Sequence, residues 1–279
     1  RMVTACVYPC TDGMEIKTNT PRIAESRRMN LELLLSNHEK KCLSCVRSTN
    51  CELQTLCREY GVDASRFEGV VNHYEVDAKS PIIRDNNKCI LCRRCVATCA
   101  KVQGIGVIGA NNRGFDTYIG SAFGEELADT SCINCGQCIV ACPVGALYER
   151  DDTDEVFEAL ADPDKHVLIC AAPSVRAQIG ECFGYEPGTD TEGKMVAALK
   201  ALGFAGVFDM NLTADLTIME ESAEFLERVK AGANLPLMTS CCPAWVKFVE
   251  NEYPEFKENI STCRSPQAMF LSLIHISEP

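Results

Sequence analysis

The sequence predicts an α+β protein of several domains, with small cysteine-rich modules in its first half and a parallel α/β domain in its second. One observation is the short, regular spacing of cysteines before residue 150, in a chain with 19 cysteines among 279 residues. The other is the alternation of strand-like and helix-like segments after residue 165, which is typical of a parallel sheet covered by helices. A chain of this length can form two or more hydrophobic cores.

The composition excludes several classes of function. A net charge of −12 argues against nucleic-acid binding. No apolar run approaches the roughly 18 residues that a membrane span needs. The first residues carry no apolar export segment. Abundant cysteine without an export signal predicts metal binding in a reducing cytosol rather than disulfide bonds.

Residues 88–147 contain the pattern C-x2-C-x2-C-x3-C twice, and Pro143 follows the second copy. In bacterial two-cluster ferredoxins with this spacing, three thiolates of each run bind one 4Fe–4S cluster and the fourth binds the other. Zinc also binds C-x2-C pairs, but it does not explain a third and a fourth cysteine given twice at the same spacing. The pattern predicts two clusters. One would be held by Cys89, Cys92, Cys95 and Cys142, and the other by Cys99, Cys132, Cys135 and Cys138.

A second pattern lies upstream, where a helix is predicted from Pro21 to about Leu35, after Thr20. The helix leads to the pattern H-x3-C-x2-C-x5-C, formed by His38, Cys42, Cys45 and Cys51. Imidazole and thiolate both bind iron and zinc, so the spacing favours a metal site without deciding between zinc and a 4Fe–4S cluster. The alternative is that His38 is an ordinary surface or core histidine. A short helix over 51–60 is predicted next, with Asn50 as its cap.

The remaining segments of the first half are less distinctive. Residues 3–7 predict a strand with Cys6 near its end, where a lone cysteine is more often a packing residue than a ligand. Strands are also predicted at 70–76 and 82–84. The glycines between 104 and 124 predict turns between short strands, not a nucleotide-binding loop. An acidic stretch at 149–158 predicts the start of a linker helix.

In the second half, strands are predicted at 167–171, 206–210 and 235–239, and helices at 191–202, 213–231 and 244–253. Loops at the carboxyl ends of parallel strands usually hold the chemistry. One such loop contains the adjacent residues Cys241 and Cys242 at the start of a helix, where a thiolate is stabilised. The alternative is a pair of small buried hydrophobic residues.

The chain resembles the iron-only (di-iron) hydrogenases over essentially residues 1–270. Residues 239–245 (TSCCPAW) resemble the first active-site signature of that family. The segments around it, 208–209, 214–221 and 265–267, match the neighbouring family segments. The site with one histidine and three cysteines precedes the double ferredoxin pattern, as in the larger members.

The resemblance implies an active-site cofactor, the H-cluster, with a 4Fe–4S part and a di-iron subsite. Cys242 would bind the 4Fe–4S part, and Cys241 would pass protons to the di-iron subsite. The proton path would continue through Glu221, Glu224 and Ser261, with Arg228 near its outer end. The di-iron pocket would be lined by Ala172, Pro173, Ser174 and Gln267.

Spacing on one helix supports this path, because Glu221, Glu224 and Arg228 share a helix face. Burial would raise the pKa of a carboxyl group toward neutrality and make it a better relay. The alternative is a solvated face held by salt bridges.

The resemblance also assigns the upstream sites. His38, Cys42, Cys45 and Cys51 would bind a 4Fe–4S cluster rather than zinc. Cys6 would be the last of four ligands to a 2Fe–2S cluster.

The implied fold is an α+β multi-domain chain. It would consist of the end of a 2Fe–2S ferredoxin-like β-grasp domain (1–19), a one-His/three-Cys 4Fe–4S domain (20–78), a bacterial double 4Fe–4S ferredoxin domain (79–155) and the start of a parallel α/β hydrogenase catalytic domain (156–279).

The chain also departs from the family. The remaining H-cluster cysteines, in a Pro-Cys segment and a C-x3-C segment, do not occur, and residues 272–279 look foreign. We therefore expect a chain interrupted at both ends and inactive by itself. Four cysteines match no ligand position and are predicted to pack: Cys10, Cys170, Cys182 and Cys263.

The complete enzyme would interconvert protons, electrons and H₂. Expected partners are ferredoxin or NAD(P)-linked diaphorase subunits, together with hydrogenase maturation proteins. One alternative is a non-catalytic electron-transfer subunit like that of respiratory NADH dehydrogenase, which shares Cys6 and the His38 pattern. Another is a hydrogenase-like iron–sulfur assembly protein, which lacks that N-terminal third. A hydrogen sensor would share the catalytic residues.

Overall fold

A computed structural model of the chain describes residues 1–64, 66–69 and 71–277. The chain divides into two compact units, Arg1–Arg150 and Asp151–Pro279.

The first residues of unit 1 form no strand, so the strand predicted at 3–7 is wrong. The backbone turns instead, and the N–H groups of Val7 and Tyr8 both donate to the carbonyl of Thr4. A strand needs a neighbouring strand to bind its backbone groups, and this local turn satisfies part of them instead.

The helix predicted after Thr20 is confirmed as α1, Pro21–Ser36, and the Thr20 hydroxyl accepts a hydrogen bond from the Ile23 N–H. The short helix is confirmed as α2, Glu52–Glu59. Its cap is Cys51 rather than Asn50, because the carbonyl of Cys51 already accepts the first helical hydrogen bond, from Thr55.

The rest of unit 1 consists of short helices and two antiparallel strand pairs. The elements are β1, Ile82–Arg84; α3, Arg94–Ala97; β2, Gly109–Asn111; β3, Tyr118–Gly120; α4, Gln137–Ala141; and β4, Leu147–Glu149. Strand β1 pairs with β4, with Ile83 opposite Tyr148. Strand β2 pairs with β3, with Ala110 opposite Ile119, which confirms short strands in the glycine-rich stretch.

The strand predicted at 70–76 is wrong for residues 71–76, and residue 70 lies outside the described residues. The side-chain amide of Asn87 takes the place of a neighbouring strand here. It accepts from the Tyr74 N–H at 2.9 Å and donates to the Tyr74 carbonyl at 2.9 Å.

Unit 1 has two hydrophobic cores, and both contain cysteines from the predicted patterns. The first consists of Leu31, Cys51, Leu53, Cys57, Val62, Val144 and Ala146. The second consists of Ile82, Cys95, Ile108, Ile119, Leu127, Cys138 and Leu147. Because Cys51, Cys95 and Cys138 are core residues, the predicted metal sites and the cores would occupy the same space.

Unit 2 contains a parallel pair of strands with helices. The elements are α5, Thr153–Ala161; β5, Leu168–Ala171; α6, Pro173–Gln178; α7, Glu192–Leu202; β6, Gly206–Asp209; α8, Asn211–Ala231; α9, Pro243–Glu252; and α10, Pro266–Ser277. Strands β5 and β6 are parallel, with Cys170 opposite Phe208, so the predicted strand–helix alternation is confirmed for two strands.

The third strand, predicted at 235–239, is wrong. Met238 forms only an isolated parallel bridge with Ile260. Pro236 has no N–H to donate, which limits a ladder at this position. The Ser261 N–H donates to the Met238 carbonyl at 2.7 Å, so the bridge holds the segment before Cys241 beside the segment that contains Ser261.

Within the described residues, no helix is long and apolar enough to cross a membrane. Of the residues predicted to be foreign, 272–277 continue α10, and 278–279 lie outside the described residues.

A matched pair of valines tests the core of unit 1. Val144 is 1% exposed and Val140 is 76% exposed. We expect Val144→Ala to lower the local free energy of unfolding by about 2 kcal/mol, through lost burial and the cavity left behind. Val140→Ala should change it by less than about 0.5 kcal/mol. Hydrogen exchange of peptides covering α2 and β4 measures both. Equal effects of the two variants would contradict the placement of Val144 in the core.

Candidate metal centres and a carboxylate network

The four residues of the upstream pattern line one cavity of about 470 Å³ in unit 1. His38 is delivered just beyond the end of α1, and Cys42 begins a 3₁₀ turn, Cys42–Ser44. Cys51 is buried at the start of α2. The structure therefore brings His38, Cys42, Cys45 and Cys51 to the same space.

The Nδ1 atom of His38 is buried and has no hydrogen-bond partner. Burial lowers the pKa of His38, and the charge on Glu39 opposes this effect only in part. A neutral imidazole with a buried, unpartnered nitrogen has the chemistry of a metal ligand.

The cysteines of the two later runs form two groups. Burial, together with the nearby Cys89, Cys142 and Cys92, raises the pKa of Cys95 to about 12. Burial, together with Cys132, Cys135 and Cys99, likewise raises the pKa of Cys138 to about 12. Each group contains three cysteines of one run and the fourth of the other. The structure thus brings together the two predicted sets, including the exchange of Cys99 and Cys142.

Left-handed backbone conformations shape both runs. Leu91 and Arg93 have φ of 57° and 61° in the first run, and Asn134 and Gly136 have φ of 56° and 72° at the same positions of the second. This conformation is costly for leucine and arginine. The two loops therefore share one backbone shape, which is costly in the first run and readily adopted by Asn134 and Gly136 in the second. The sequence signals this conformation in the second run but not at Leu91 or Arg93.

Arg84 also faces one of these groups. It lines a small cavity together with Cys89, Cys92, Cys95 and Cys142. Its Nη2 donates to Asp77 at 3.1 Å, but its Nε and Nη1 atoms are buried without a hydrogen-bond partner. Unpartnered N–H groups on a buried cation suit an anionic ligand, as a thiolate-bound cluster would be. Arg84 was not among the site residues predicted from the sequence.

The described residues contain no group of three or more His, Cys, Asp or Glu side chains placed to hold a single metal ion. Cys6, predicted to bind a 2Fe–2S cluster, is exposed in the turned N-terminal segment.

Unit 2 gathers the predicted proton-path residues around Glu224. This carboxylate accepts hydrogen bonds from the Ser261 hydroxyl at 2.7 Å, from Arg228 Nη2 at 2.6 Å and from the Thr262 N–H at 3.2 Å. Arg228 also donates to the carbonyls of Asn234 and Ile260. Because Arg228 and Glu224 are largely buried, this is a fixed network rather than a solvated salt-bridged face.

The pKa of Glu224 is shifted in the direction opposite to the predicted one. Burial does raise the pKa of this carboxyl group, but the hydrogen bonds from Ser261, Thr262 and Arg228 outweigh burial and hold the pKa below its usual value. The prediction that burial would bring this carboxyl toward neutrality is therefore wrong for Glu224.

The network reaches the segment of the adjacent cysteines. The Ser240 N–H donates to Glu221 Oε1 at 3.4 Å, and Ser240 directly precedes Cys241. Cys242 ends the turn before α9, with Pro243 as the first helical residue. Both cysteines are exposed, which contradicts the alternative of a buried hydrophobic pair.

Cys263 is a further member of this network that was not predicted from the sequence. Its thiol donates to Glu224 Oε2 at 3.8 Å, and its N–H donates to the Ser261 hydroxyl at 3.1 Å. Its carbonyl accepts a hydrogen bond from the Ser240 hydroxyl. Burial raises the pKa of this thiol. Cys263 was predicted only to pack, and its place two residues after Ser261 was the available signal.

The residues predicted to line a di-iron pocket lie at helix starts. Ala172 follows β5 and precedes α6, which begins with Pro173 and Ser174, and Gln267 lies in the first turn of α10. Ala172, Pro173, Ser174 and Gln267 are all exposed.

Three known protein families match separate segments of the chain. Residues 165–277 match the family described as iron only hydrogenase large subunit, C-terminal domain. Residues 27–66 match the NADH-ubiquinone oxidoreductase-G iron-sulfur binding region. Residues 80–148 match the NADH-quinone oxidoreductase subunit 3, ferredoxin-like domain. The chain thus joins iron–sulfur modules to a hydrogenase domain.

Individual relatives of the chain include two hydrogenases and a subunit of NADH-ubiquinone oxidoreductase. The chain is 50% identical over 276 residues to the NADP-reducing hydrogenase subunit HndD of Solidesulfovibrio fructosivorans, covering 96% of this chain and 47% of the relative. It is 43% identical over 271 residues to iron hydrogenase 1 of Clostridium pasteurianum, with the same coverage. Its identity to the NADH-ubiquinone oxidoreductase 75 kDa subunit of Reclinomonas americana is 37% over 153 residues, covering 53% of this chain and 21% of the relative.

These findings define the class as a chain of modular construction, with iron–sulfur binding modules and a hydrogenase-type domain. Within that class, residues 165–277 match the iron-only hydrogenase family, and the chain as a whole is similar to two hydrogenases. It spans about half the length of the two hydrogenase relatives.

The pairing of Glu224 with Arg228 predicts a pH-dependent stability of unit 2. The folded pKa of Glu224 lies below the unfolded value of about 4.3. Its contribution is therefore complete above that value and is lost as the pH falls through the folded pKa. We expect Glu224→Gln to lower the free energy of unfolding by about 2 kcal/mol at pH 7 and by clearly less at pH 3.5.

The chain has one tryptophan, Trp245 on α9, so urea unfolding followed by its fluorescence reports on unit 2. The exposed Glu227→Gln is the matched control and should have little effect at either pH. A destabilisation by Glu224→Gln that stays constant from pH 7 to 3.5 would show that the charge of Glu224 contributes nothing.

Proposed function

We propose that the protein containing this chain is an iron-only hydrogenase that interconverts two protons and two electrons with H₂. Unit 1 would relay electrons, and unit 2 would form the start of the catalytic domain. The observation that carries this proposal is the buried network of Glu224, Ser261 and Arg228. It reaches Ser240, next to Cys241, inside the range that matches the hydrogenase domain.

We propose three complete cluster sites in unit 1. The first is His38 with Cys42, Cys45 and Cys51, supported by the shared cavity and the unpartnered Nδ1 atom. The other two are the ferredoxin-type sets, supported by the grouping of their thiols. The set that includes Cys142 is supported also by the unpartnered nitrogens of Arg84. Cys6 would bind a 2Fe–2S cluster and Cys242 the 4Fe–4S part of the H-cluster, each with ligands from elsewhere. The proposed domains are residues 1–19, 20–78, 79–155 and 156–279.

The contacts between two of these sites suggest the order of the relay. Val144 lines both the His38 cavity and the cavity at Cys89, Cys92, Cys95 and Cys142. The Glu52 N–H donates to the Pro143 carbonyl, and Arg94 makes two hydrogen bonds to the Glu52 carboxylate. Electrons at the His38 site would therefore pass next to the cluster that includes Cys142.

Proton delivery is the task of unit 2. When bound, the di-iron group supplies the hydride chemistry. The Cys241 thiol would give and take the proton at the subsite, and Glu221 would exchange it with the thiol. Ser261 and Glu224 would carry it onward through their 2.7 Å hydrogen bond, and Arg228 would mark the outer end. The pocket around the subsite would involve Ala172, Pro173, Ser174 and Gln267.

A non-catalytic electron-transfer subunit is less well supported. The respiratory relative matches only 53% of this chain, whereas residues 165–277 match the hydrogenase domain. An assembly protein of the hydrogenase-like type would lack the His38 pattern, which is present and matches an iron–sulfur binding region. The name of the NADP-reducing relative favours an NADP-linked partner subunit for electron exchange, with ferredoxin as the other candidate. Maturation proteins would supply the H-cluster.

Iron analysis tests the relay. After anaerobic reconstitution with ferrous iron and sulfide, we expect the chain to hold about 12 iron atoms, from three complete 4Fe–4S sets. Cys138→Ala should remove about four of them, because its set loses a buried ligand. Cys182→Ala, which changes an exposed cysteine outside the sets, should remove none. A wild-type chain that binds no iron, or binds zinc in preference, would refute the relay.

Hydrogen production tests the proton path in the full-length native protein. We expect Cys241→Ser and Glu224→Gln each to lower H₂ evolution from reduced methyl viologen by about 100-fold or more, because each removes a proton-transfer group. Cluster content and electron uptake from dithionite should stay unchanged. Cys182→Ser is the matched control for Cys241→Ser and should keep full activity. Normal H₂ evolution by both path variants would contradict the proposed route.

A further inference from the structure

We infer that Gly145 is a positioning residue for the His38 site, because its missing side chain leaves the space that the Cys45 thiol occupies. The inference rests on the proposed relay function and adds a residue outside the ligand pattern. Gly145 and Cys45 line the same cavity as His38, Cys42 and Cys51, although they lie 100 residues apart in the sequence.

The distance at this contact leaves no room for a side chain. A Cβ atom added at Gly145 would lie 2.5 Å from Cys45 Sγ, 3.5 Å from Val46 Cγ2 and 3.6 Å from Lys88 Cδ. Non-bonded carbon contacts are favourable at roughly 3.5–4.0 Å, and sulfur is larger than carbon. The Cβ would fit against Val46 and Lys88 but not against the thiol. A substitution here therefore acts on Cys45 and on nothing else nearby.

Backbone conformation does not explain the glycine. Gly145 is absent from the residues with positive φ, so alanine could adopt its backbone angles. The requirement is for space alone, which makes alanine a clean probe.

Neither neighbour of the contact can move away easily. Gly145 lies between Val144, 1% exposed, and Ala146, 5% exposed, and both belong to the first core. On the other side, the Cys45 N–H donates to the Cys42 carbonyl at 3.2 Å and fixes that turn. The clash can be relieved only by rotating the Cys45 side chain, which turns the thiol out of the place it shares with the other three ligands.

The experiment compares Gly145→Ala with Gly109→Ala in the full chain. Gly109 also lies in unit 1, has no positive φ, and has no atom within 4 Å of an added Cβ. After anaerobic reconstitution, we expect wild type and Gly109→Ala to hold about 12 iron atoms and Gly145→Ala about 8, the same as Cys45→Ala. Electron paramagnetic resonance of the reduced protein should show the same remaining signals in Gly145→Ala and Cys45→Ala.

The two ferredoxin-type clusters serve as internal controls for folding. Loss of all iron in Gly145→Ala would overturn the inference, because Gly145 would then be a folding residue. Wild-type iron content with wild-type spectra in Gly145→Ala would overturn it as well. Failure of the proposed relay is a different result, in which the wild-type chain itself holds no more iron than Cys45→Ala.

Discussion

Burial of thiols is the constraint on which unit 1 depends. Cys51, Cys95 and Cys138 are core residues, and burial raises the pKa of Cys95 and Cys138 to about 12. Such thiols stay protonated at neutral pH unless a cation stabilises their thiolates. Iron binding would offset that penalty, so formation of the cores and loading of the clusters would be coupled. The left-handed loops at Leu91 and Arg93 add a second local cost, and the same coupling would offset it.

The secondary structure of unit 1 is too small to explain its fold alone. Each strand of the pairs β1–β4 and β2–β3 has only three residues, and α3 and α4 are about one turn long. Isolated two-stranded pairs and single helical turns are marginal in water. Cross-connections made by side chains carry much of the order instead, such as Asn87 bonding both backbone groups of Tyr74. A domain built this way would gain stability from groups bound among its thiols, as small metal-binding domains generally do.

Sequence patterns predicted the parts of this molecule that depend on local chemistry. Pro21 after Thr20 was sufficient for the start of α1, and the cysteine spacing was sufficient for the two crossed groups of thiols. The errors came where a distant residue decides the outcome. The segment 71–76 has strand-like residues, but the Asn87 side chain binds it, and the segment 235–239 meets a single partner at Ile260 rather than a strand. Cys263, Arg84 and Gly145 were missed because their roles depend on neighbours far along the chain.

The carboxylate network of unit 2 would set the charge along the proposed proton path. Arg228 and the hydrogen bonds from Ser261 and Thr262 keep Glu224 ionised at neutral pH, so this residue is an acceptor and not a stored acid. Each unit of pKa lowering makes protonation of Glu224 about 1.4 kcal/mol less favourable. The thiol beside it has the opposite tendency, since burial raises the pKa of Cys263. An ionised acceptor beside Ser261 takes up a proton only briefly. In the proposed path, the network would therefore favour passage of protons over their storage, as movement of protons in either direction requires.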